Sequence, residues 1–250
     1  MKVKDYLITL ASYISKPSKR RLIKYCNLFR SKKGLEIGGP SSLFSLKGYF
    51  PVYLFAKQVD GVNYSNETAW EGSISEGLTY RYQNRTGYQY IREATNLRNI
   101  ADESYDFVLS CHSLEHVANP LKAIEEWKRV LKPNGYLVIV LPDKRFTFDI
   151  NRPYTTMTHL LDDYKKHIGE EDTTHFEEVI ALHDPGKDEG IESRQMLRKR
   201  VEENIVHRFV HHHVFSFELV DEMLSYFSFT KIYQQEAHPF HLITIAKKTV

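Results

Sequence analysis

From residue 34 onward, short apolar runs alternate with longer stretches in which apolar side chains recur every three or four positions. Residues 34–38, Gly-Leu-Glu-Ile-Gly, read as a short buried strand running into a turn. Further strands are expected near 58–64 and at 105–110, the latter introduced by Asp102, Glu103 and Ser104. Leu121, Ile124, Trp127 and Leu131 follow a helical period over 120–131, with Pro120 suited to the first turn and Lys132-Pro133-Asn134-Gly135 as the stop. Residues 136–141 are apolar throughout, as expected at the centre of a parallel sheet covered on both faces. Alternating strands and helices predict a doubly wound, Rossmann-like α/β sheet.

The pattern breaks after Pro142. Residues 144–212 are polar and rich in histidine, with helical periods at 157–166 and 191–204, and they predict a mainly helical cap inserted at one edge of the sheet. Ser216 is expected to cap a helix reaching Phe227, before a closing pair of strands at 229–235 and 241–246. Upstream, residues 16–33 carry eight basic side chains and no acid, while Leu22, Ile23, Cys26 and Phe29 recur at helical spacing. We read this as an N-terminal basic helical extension, residues 1–33, docked on a domain of residues 34–250. Its charge is taken as a solvated face, with attraction to a phosphorylated substrate or an anionic membrane as the sharper alternative.

Hydrophobic residues at 42% and charged residues at 26% are ordinary globular values. A formal charge of +2 lacks the basic bias of a dedicated nucleic-acid binder. Cys26 and Cys111 form neither a disulfide framework nor a metal spacing, which fits a reducing compartment. The strongly apolar run 137–141 is far too short to span a bilayer. The apolar stretch 6–14 follows Lys2, Lys4 and Asp5 without a convincing cleavage site and reads as a helix, so a cytoplasmic protein is expected.

An open parallel sheet binds its ligand at the C-terminal ends of its strands. Three segments fall there: 36–41 with Gly38 and Gly39, where backbone can approach a ligand closely; 61–65, where a nucleoside needs a partner for its ribose hydroxyls; and 110–120. No phosphate-binding-loop lysine and no Gly-x-Gly-x-x-Gly are present, which argues against an NTPase and a dehydrogenase.

Taken in order, Gly34-Leu35-Glu36-Ile37-Gly38-Gly39, Ser104-Tyr105-Asp106-Phe107-Val108, Leu114-Glu115-His116-Val117 and the run from Glu126 to Gly135 resemble a class I S-adenosylmethionine (SAM)-dependent methyltransferase of the type 11 family. The resemblance covers roughly residues 34–142. It implies SAM as cofactor, with Glu36, Gly38 and Gly39 on its methionine and ribose side, Asn63 and Tyr64 at the ribose, Ala94 and Thr95 along the adenine, and Ser110, His112 and His116 closing over it. The chain departs from the family pattern in three places. Asn63 stands where the family has an acid, with Asp60 as a rival; Glu93 replaces another acid; and Pro40 and Ser41 follow Gly39 where more glycine is usual.

Transfer to a hydroxyl needs a general base, and histidine titrates near neutrality. The cap offers His175, His183, His211, His212 and His213, and Asp143 lies just past the fifth strand; Asp143, His175 and His213 are the catalytic candidates. His211 and His213, two apart in an extended segment, would share a face and with an acid could bind a divalent metal or flank an acceptor hydroxyl. The segment 146–161 and His175-Phe176 resemble caps of type 11 methyltransferases found with glycosyltransferases. The resemblance implies O-methylation of a sugar or glycan-precursor hydroxyl. The alternatives are another small metabolite, RNA, and a SAM-binding module without catalysis.

Overall fold

The computed structural model describes residues 17–68 and 70–249; the apolar stretch 6–14 lies outside the described residues. Eight strands form one sheet in the order β5-β6-β2-β1-β7-β8-β10-β9. These are β1 (Lys33–Ile37), β2 (Gln58–Asn63), β5 (Gly77–Tyr82), β6 (Arg85–Ile91), β7 (Tyr105–Cys111), β8 (Leu131–Pro142), β9 (Phe229–Ala237) and β10 (His241–Lys248). A two-stranded sheet joins β3 (Glu67–Thr68) to β4 (Gly72–Ser73). Strands β6, β2, β1, β7 and β8 are parallel, and antiparallel β5 and β10–β9 finish the two edges. The chain leaves β1 for β2 on one side and reaches β7 on the other, so the switch point lies between β1 and β7.

Alternation along each strand sorts side chains into two cores. Leu35, Ile37, Val62, Val108, Leu137, Ile139 and Leu141 face α3 (Pro120–Val130) and α8 (Phe217–Tyr226). Phe107, Leu109, Val138, Val140, Ile243 and Ile245 face the other way, toward α1 (Pro17–Ile23), the 3-10 turn Lys24–Phe29 and α2 (Val52–Phe55). Leu22, Cys26 and Phe29 are fully buried there, so the basic segment packs its apolar side on the sheet. Two caps act through local chemistry: Asn119 Oδ1 accepts from the Lys122 amide at 3.1 Å, and Ser216 Oγ from the Leu219 amide at 3.3 Å.

The cap holds α4 (Met157–Lys165), α5 (Phe176–Leu182), α6 (Arg194–Glu202) and α7 (Asn204–His207), with a small core of Val179, Ile180, Ile191, Leu197, Val201 and Val210. The expected helix over 191–204 is split in two. Ser193 caps its start at Arg194, and Glu203 interrupts it before Asn204.

The sequence reading passed over the β5–β6 hairpin, which places Tyr80 and Tyr82 inside the second core. Gly61 makes room for it: a Cβ there would stand 2.0 Å from the Tyr80 ring. Gly61→Ala should therefore lower stability by about 1–3 kcal/mol through overpacking, read as a fall in the urea midpoint at unchanged slope.

Candidate active site

A cavity of about 390 Å³ opens at the C-terminal edge of the sheet. Its floor is the turn after β1. Gly38 adopts φ +75°, and an added Cβ would lie 2.0 Å from Ser113 Oγ, so backbone of this shape at this spacing requires glycine. Behind the turn, the buried Glu36 carboxyl accepts from Tyr53 OH at 2.5 Å, Tyr80 OH at 2.7 Å and the Ser41 amide at 2.9 Å. Burial raises its pKa from 4.5 to about 7 against the pull of these donors.

Asn63 ends β2 on the cavity wall. Its Nδ2 donates to the Gly39 carbonyl at 3.0 Å, which leaves Oδ1 buried without a partner. Beyond β7, Cys111, His112, Ser113, His116 and Val117 form the opposite wall. His112 takes φ +51° and its Nε2 lies 2.8 Å from His241 Nδ1; burial and the neighbouring His241 lower its pKa to about 3. His116 Nδ1 lies 3.1 Å from the Val210 carbonyl, and its ring stands on His211 with centroids 4.6 Å apart. Burial, then proximity to His211, holds His116 neutral well below the ordinary histidine range. His211 Nδ1 in turn meets Asp149 at 2.5 Å, and Asp149 is braced by Arg152 at 2.8 Å. Burial opposes a charge on His211, but the Asp149 carboxylate prevails and raises its pKa.

The cap closes one side. Arg208, in the left-handed region at φ +53°, joins Glu93 of the sheet domain at 2.8 Å to Glu170 of the cap at 2.7 Å, and its guanidinium lies 5.3 Å from the Tyr64 ring. Tyr64 OH donates to the Val206 carbonyl at 2.9 Å, and Trp70, 47% exposed, stands 6.1 Å from Tyr64 at the rim.

Of the residues expected at a cofactor, Gly38, Asn63, Tyr64, Ala94, His112 and His116 line this cavity. Glu36, Gly39, Thr95 and Ser110 do not. The Glu36 carboxyl is taken up by the two tyrosines, and Gly39 backs onto that same group, 2.3 Å from Tyr80 OH to a notional Cβ. Ser110 is fully buried because β7 runs one residue further than expected, so that the wall begins at Cys111. Trp127 Nε1 holds the Ala94 carbonyl at 3.1 Å, and the chain turns away from the cavity before Thr95. Asp60, the rival to Asn63, is fixed lower on β2 by Lys33 at 2.9 Å and Tyr105 OH at 2.8 Å.

None of the three catalytic candidates reaches the wall. Asp143 caps the turn Lys144–Phe146 and is gripped by Arg145 at 2.5 Å. His213 Nε2 lies 3.1 Å from the Ala118 carbonyl, and His175 Nε2 lies 3.2 Å from His159 Nε2. Nor do His211 and His213 act together. Donor atoms of His211 gather with Glu115 and His116, whereas His213 joins His159, Asp163 and His175. His183 stacks on Phe148 and His212 packs against Asn204. The sequence reading missed Arg208, Glu170 and Trp70; the return of the cap onto Tyr64 and Glu93 reveals the first two, and the approach of the Trp70 ring to Tyr64 the third.

Residues 46–139 match a family described as a methyltransferase domain. The ubiquinone biosynthesis O-methyltransferase of Haemophilus ducreyi is 31% identical over 110 residues, 43% of this chain and 44% of that protein, so the match spans less than half of either chain. Among solved structures, an S-adenosylmethionine-dependent methyltransferase of Mesorhizobium loti has a TM-score of 0.50 at 13% identity, covering 93% of this chain and 96% of its own. The Burkholderia thailandensis 1,6-didemethyltoxoflavin-N1-methyltransferase, solved with 1,6-didemethyltoxoflavin and S-adenosylhomocysteine, has a TM-score of 0.50 at 14% identity, covering 99% and 85%. At these identities the likeness is one of fold.

Glu36 generates a pH dependence. Its folded pKa, about 7, exceeds the ordinary 4.5, so the folded state holds the proton through this window and loses stability as pH rises. The loss attributable to Glu36 by pH 8 is on the order of 3 kcal/mol. Glu36→Gln should make the decline between pH 5 and 8 shallower by that amount in urea titrations; an unchanged slope would show that the carboxyl is ionised throughout.

Proposed function

We propose that this chain, whose residues 46–139 match the methyltransferase-domain family, moves a methyl group from SAM to a hydroxyl of a small acceptor. The observation that carries the reading is one cavity with Gly38, Asn63 and Ala94 on one wall and a neutral imidazole, His116, on the facing wall.

The residues present fit the cofactor. At Gly38 an added Cβ would run into Ser113 Oγ, which keeps bare backbone at the cavity floor, and Ile37, Val62 and Ala94 offer an apolar surface to an adenine. The orphaned Asn63 Oδ1 is an acceptor awaiting a hydroxyl donor. Asparagine suits this place better than the family's acid, because the Gly39 carbonyl needs a donor and a carboxylate would repel it.

When bound, SAM supplies an electrophilic methyl on a sulfonium sulfur. The chain's part is to hold the acceptor oxygen in line and take its proton. The Val210 carbonyl accepts from His116 Nδ1–H, which assigns the lone pair to Nε2. That nitrogen would take the proton from the acceptor hydroxyl as the oxygen is methylated. The chain Arg152–Asp149–His211 fixes the ring against which His116 packs.

For the acceptor we favour a saccharide hydroxyl. Arg92, Glu93, Glu170 and Arg208 place a cluster of polar groups on one part of a wall that is otherwise mostly apolar, and Tyr64 with Trp70 offers aromatic faces at the rim. A phenolic acceptor is the second reading, favoured by the H. ducreyi relative. Turnover of catechol-type phenols, with none of free or nucleotide-linked sugars, would select it.

Three variants test the assignment. Asn63→Ala and Asn63→Asp should each weaken S-adenosylhomocysteine binding about 10-fold by calorimetry, a loss near 1.4 kcal/mol; tighter binding by Asn63→Asp would refute the Gly39 argument. His116→Ala should lower kcat by about 10²–10⁴-fold while product affinity changes little. Because His116 stays neutral well below its usual range, wild-type turnover should not decline as pH falls through 6.5.

A further inference from the structure

Away from the cavity, where the cap meets the sheet domain, four side chains converge from three segments. Thr156 caps α4 so that His159 and Asp163, four residues apart, share one helical face. His159 Nε2 lies 3.1 Å from Asp163 Oδ2. His175 precedes α5 and brings its Nε2 to 3.2 Å from His159 Nε2, with the rings at 86°. His213, in the extended run before α8, is buried, with its ring centroid 5.1 Å from His175 and 5.6 Å from His159. Its Nε2 stands 4.0 Å from Asp163 Oδ2. One donor atom from each of the four lies within 4.8 Å of the others.

We infer that His159, Asp163, His175 and His213 form a binding site for one divalent transition metal ion, with zinc the best match. Metal–ligand bonds of 2.0–2.1 Å in a tetrahedron place neighbouring donors roughly 3.3 Å apart. His159 Nε2 already stands near that spacing, 3.1 Å from Asp163 Oδ2 and 3.2 Å from His175 Nε2; His213, whose Nε2 is held by the Ala118 carbonyl, would complete the shell through its free Nδ1. Asp163 Oδ2 is buried with no hydrogen-bond partner, and so is one nitrogen of His213, Nδ1. A buried acceptor without a donor is costly unless a cation lies beside it. Three imidazoles and one carboxylate suit zinc rather than magnesium or calcium, which favour all-oxygen shells. Four protein ligands leave no open position, the mark of a structural ion.

Such an ion would join α4, the segment 166–175 and the run 208–216. The second carries Glu170 and the third begins with Arg208, so it would fix the cap wall of the cavity from behind. This inference does not rest on methyl transfer.

Tag-free full-length protein, stripped with a chelator, would be titrated with zinc by calorimetry and with cobalt by visible absorption. We expect about one zinc per chain with Kd below about 1 μM, intense cobalt bands of tetrahedral type, and a higher melting temperature with zinc. His175→Ala and Asp163→Asn, each shown folded by circular dichroism, should weaken zinc binding at least 100-fold, while His116→Ala should leave it unchanged. Absence of binding to the wild type overturns the proposal. So does binding that survives in both cluster variants or is lost in His116→Ala, which would place the ion at Glu115, His116 and His211 instead.

Discussion

The cavity floor depends on a carboxyl group in a place where water cannot reach it. Glu36 points from β1 into the second core, and two phenols and one amide converge on its oxygens. Each donor comes from a different part of the chain: Tyr53 from α2, Tyr80 from the β5–β6 hairpin, and Ser41 from the turn itself. Burying a carboxyl is unfavourable unless its oxygens are hydrogen-bonded, so these segments are held in mutual register by one group. The glycines around it belong to the same arrangement. Gly61 admits the Tyr80 ring, and Gly39 lies flat against the carboxyl. The turn that follows β1 is therefore shaped from behind.

The front of the cavity is built differently. Arg208 links an acid from the sheet domain to one from the cap, and Tyr64 adds a hydrogen bond to Val206. Glu93 and Glu170 are both raised by burial, and Glu170 reaches about 7, so the single guanidinium sits between two carboxyls in a partly dry setting. The cap's attachment is electrostatic where it faces the cavity. Its attachment through Leu160 in the first core is apolar. Histidines lie between these two kinds of contact; burial lowers the pKa of His116, His175, His212 and His213, whereas, against burial, the Asp149 carboxylate raises that of His211.

How much of this was legible depends on the range of the interaction. Four of the five parallel strands were legible, β8 most plainly because two-sided burial makes residues 136–141 apolar throughout, and the helix at Pro120 was marked by its own cap and period. Gly38 and His116 sat in local motifs whose geometry follows from the strand before them. The β5–β6 hairpin was not visible because β5 buries tyrosines that alternate with polar side chains and β6 buries Gly87 and Gln89, and only Gly61 and Glu36, far away in sequence, explain why Tyr80 is inside. Histidine roles were harder still. His211 and His213 differ by two residues yet belong to separate clusters, because the partners that distinguish them, Asp149 for one and Asp163 for the other, come from elsewhere in the cap.

The chain has two tryptophans, and both bear on the cavity. Trp70 stands half exposed at the rim, while Trp127 is fully buried and holds the Ala94 carbonyl from behind. Indole emission shifts with the polarity around the ring, so these residues form a natural pair of reporters: one facing solvent at the entrance, the other fixed in the wall. Light emitted by the rim tryptophan would respond to a molecule settling over it while the buried one stays constant. The protein thus carries an optical gauge of occupancy without any added label.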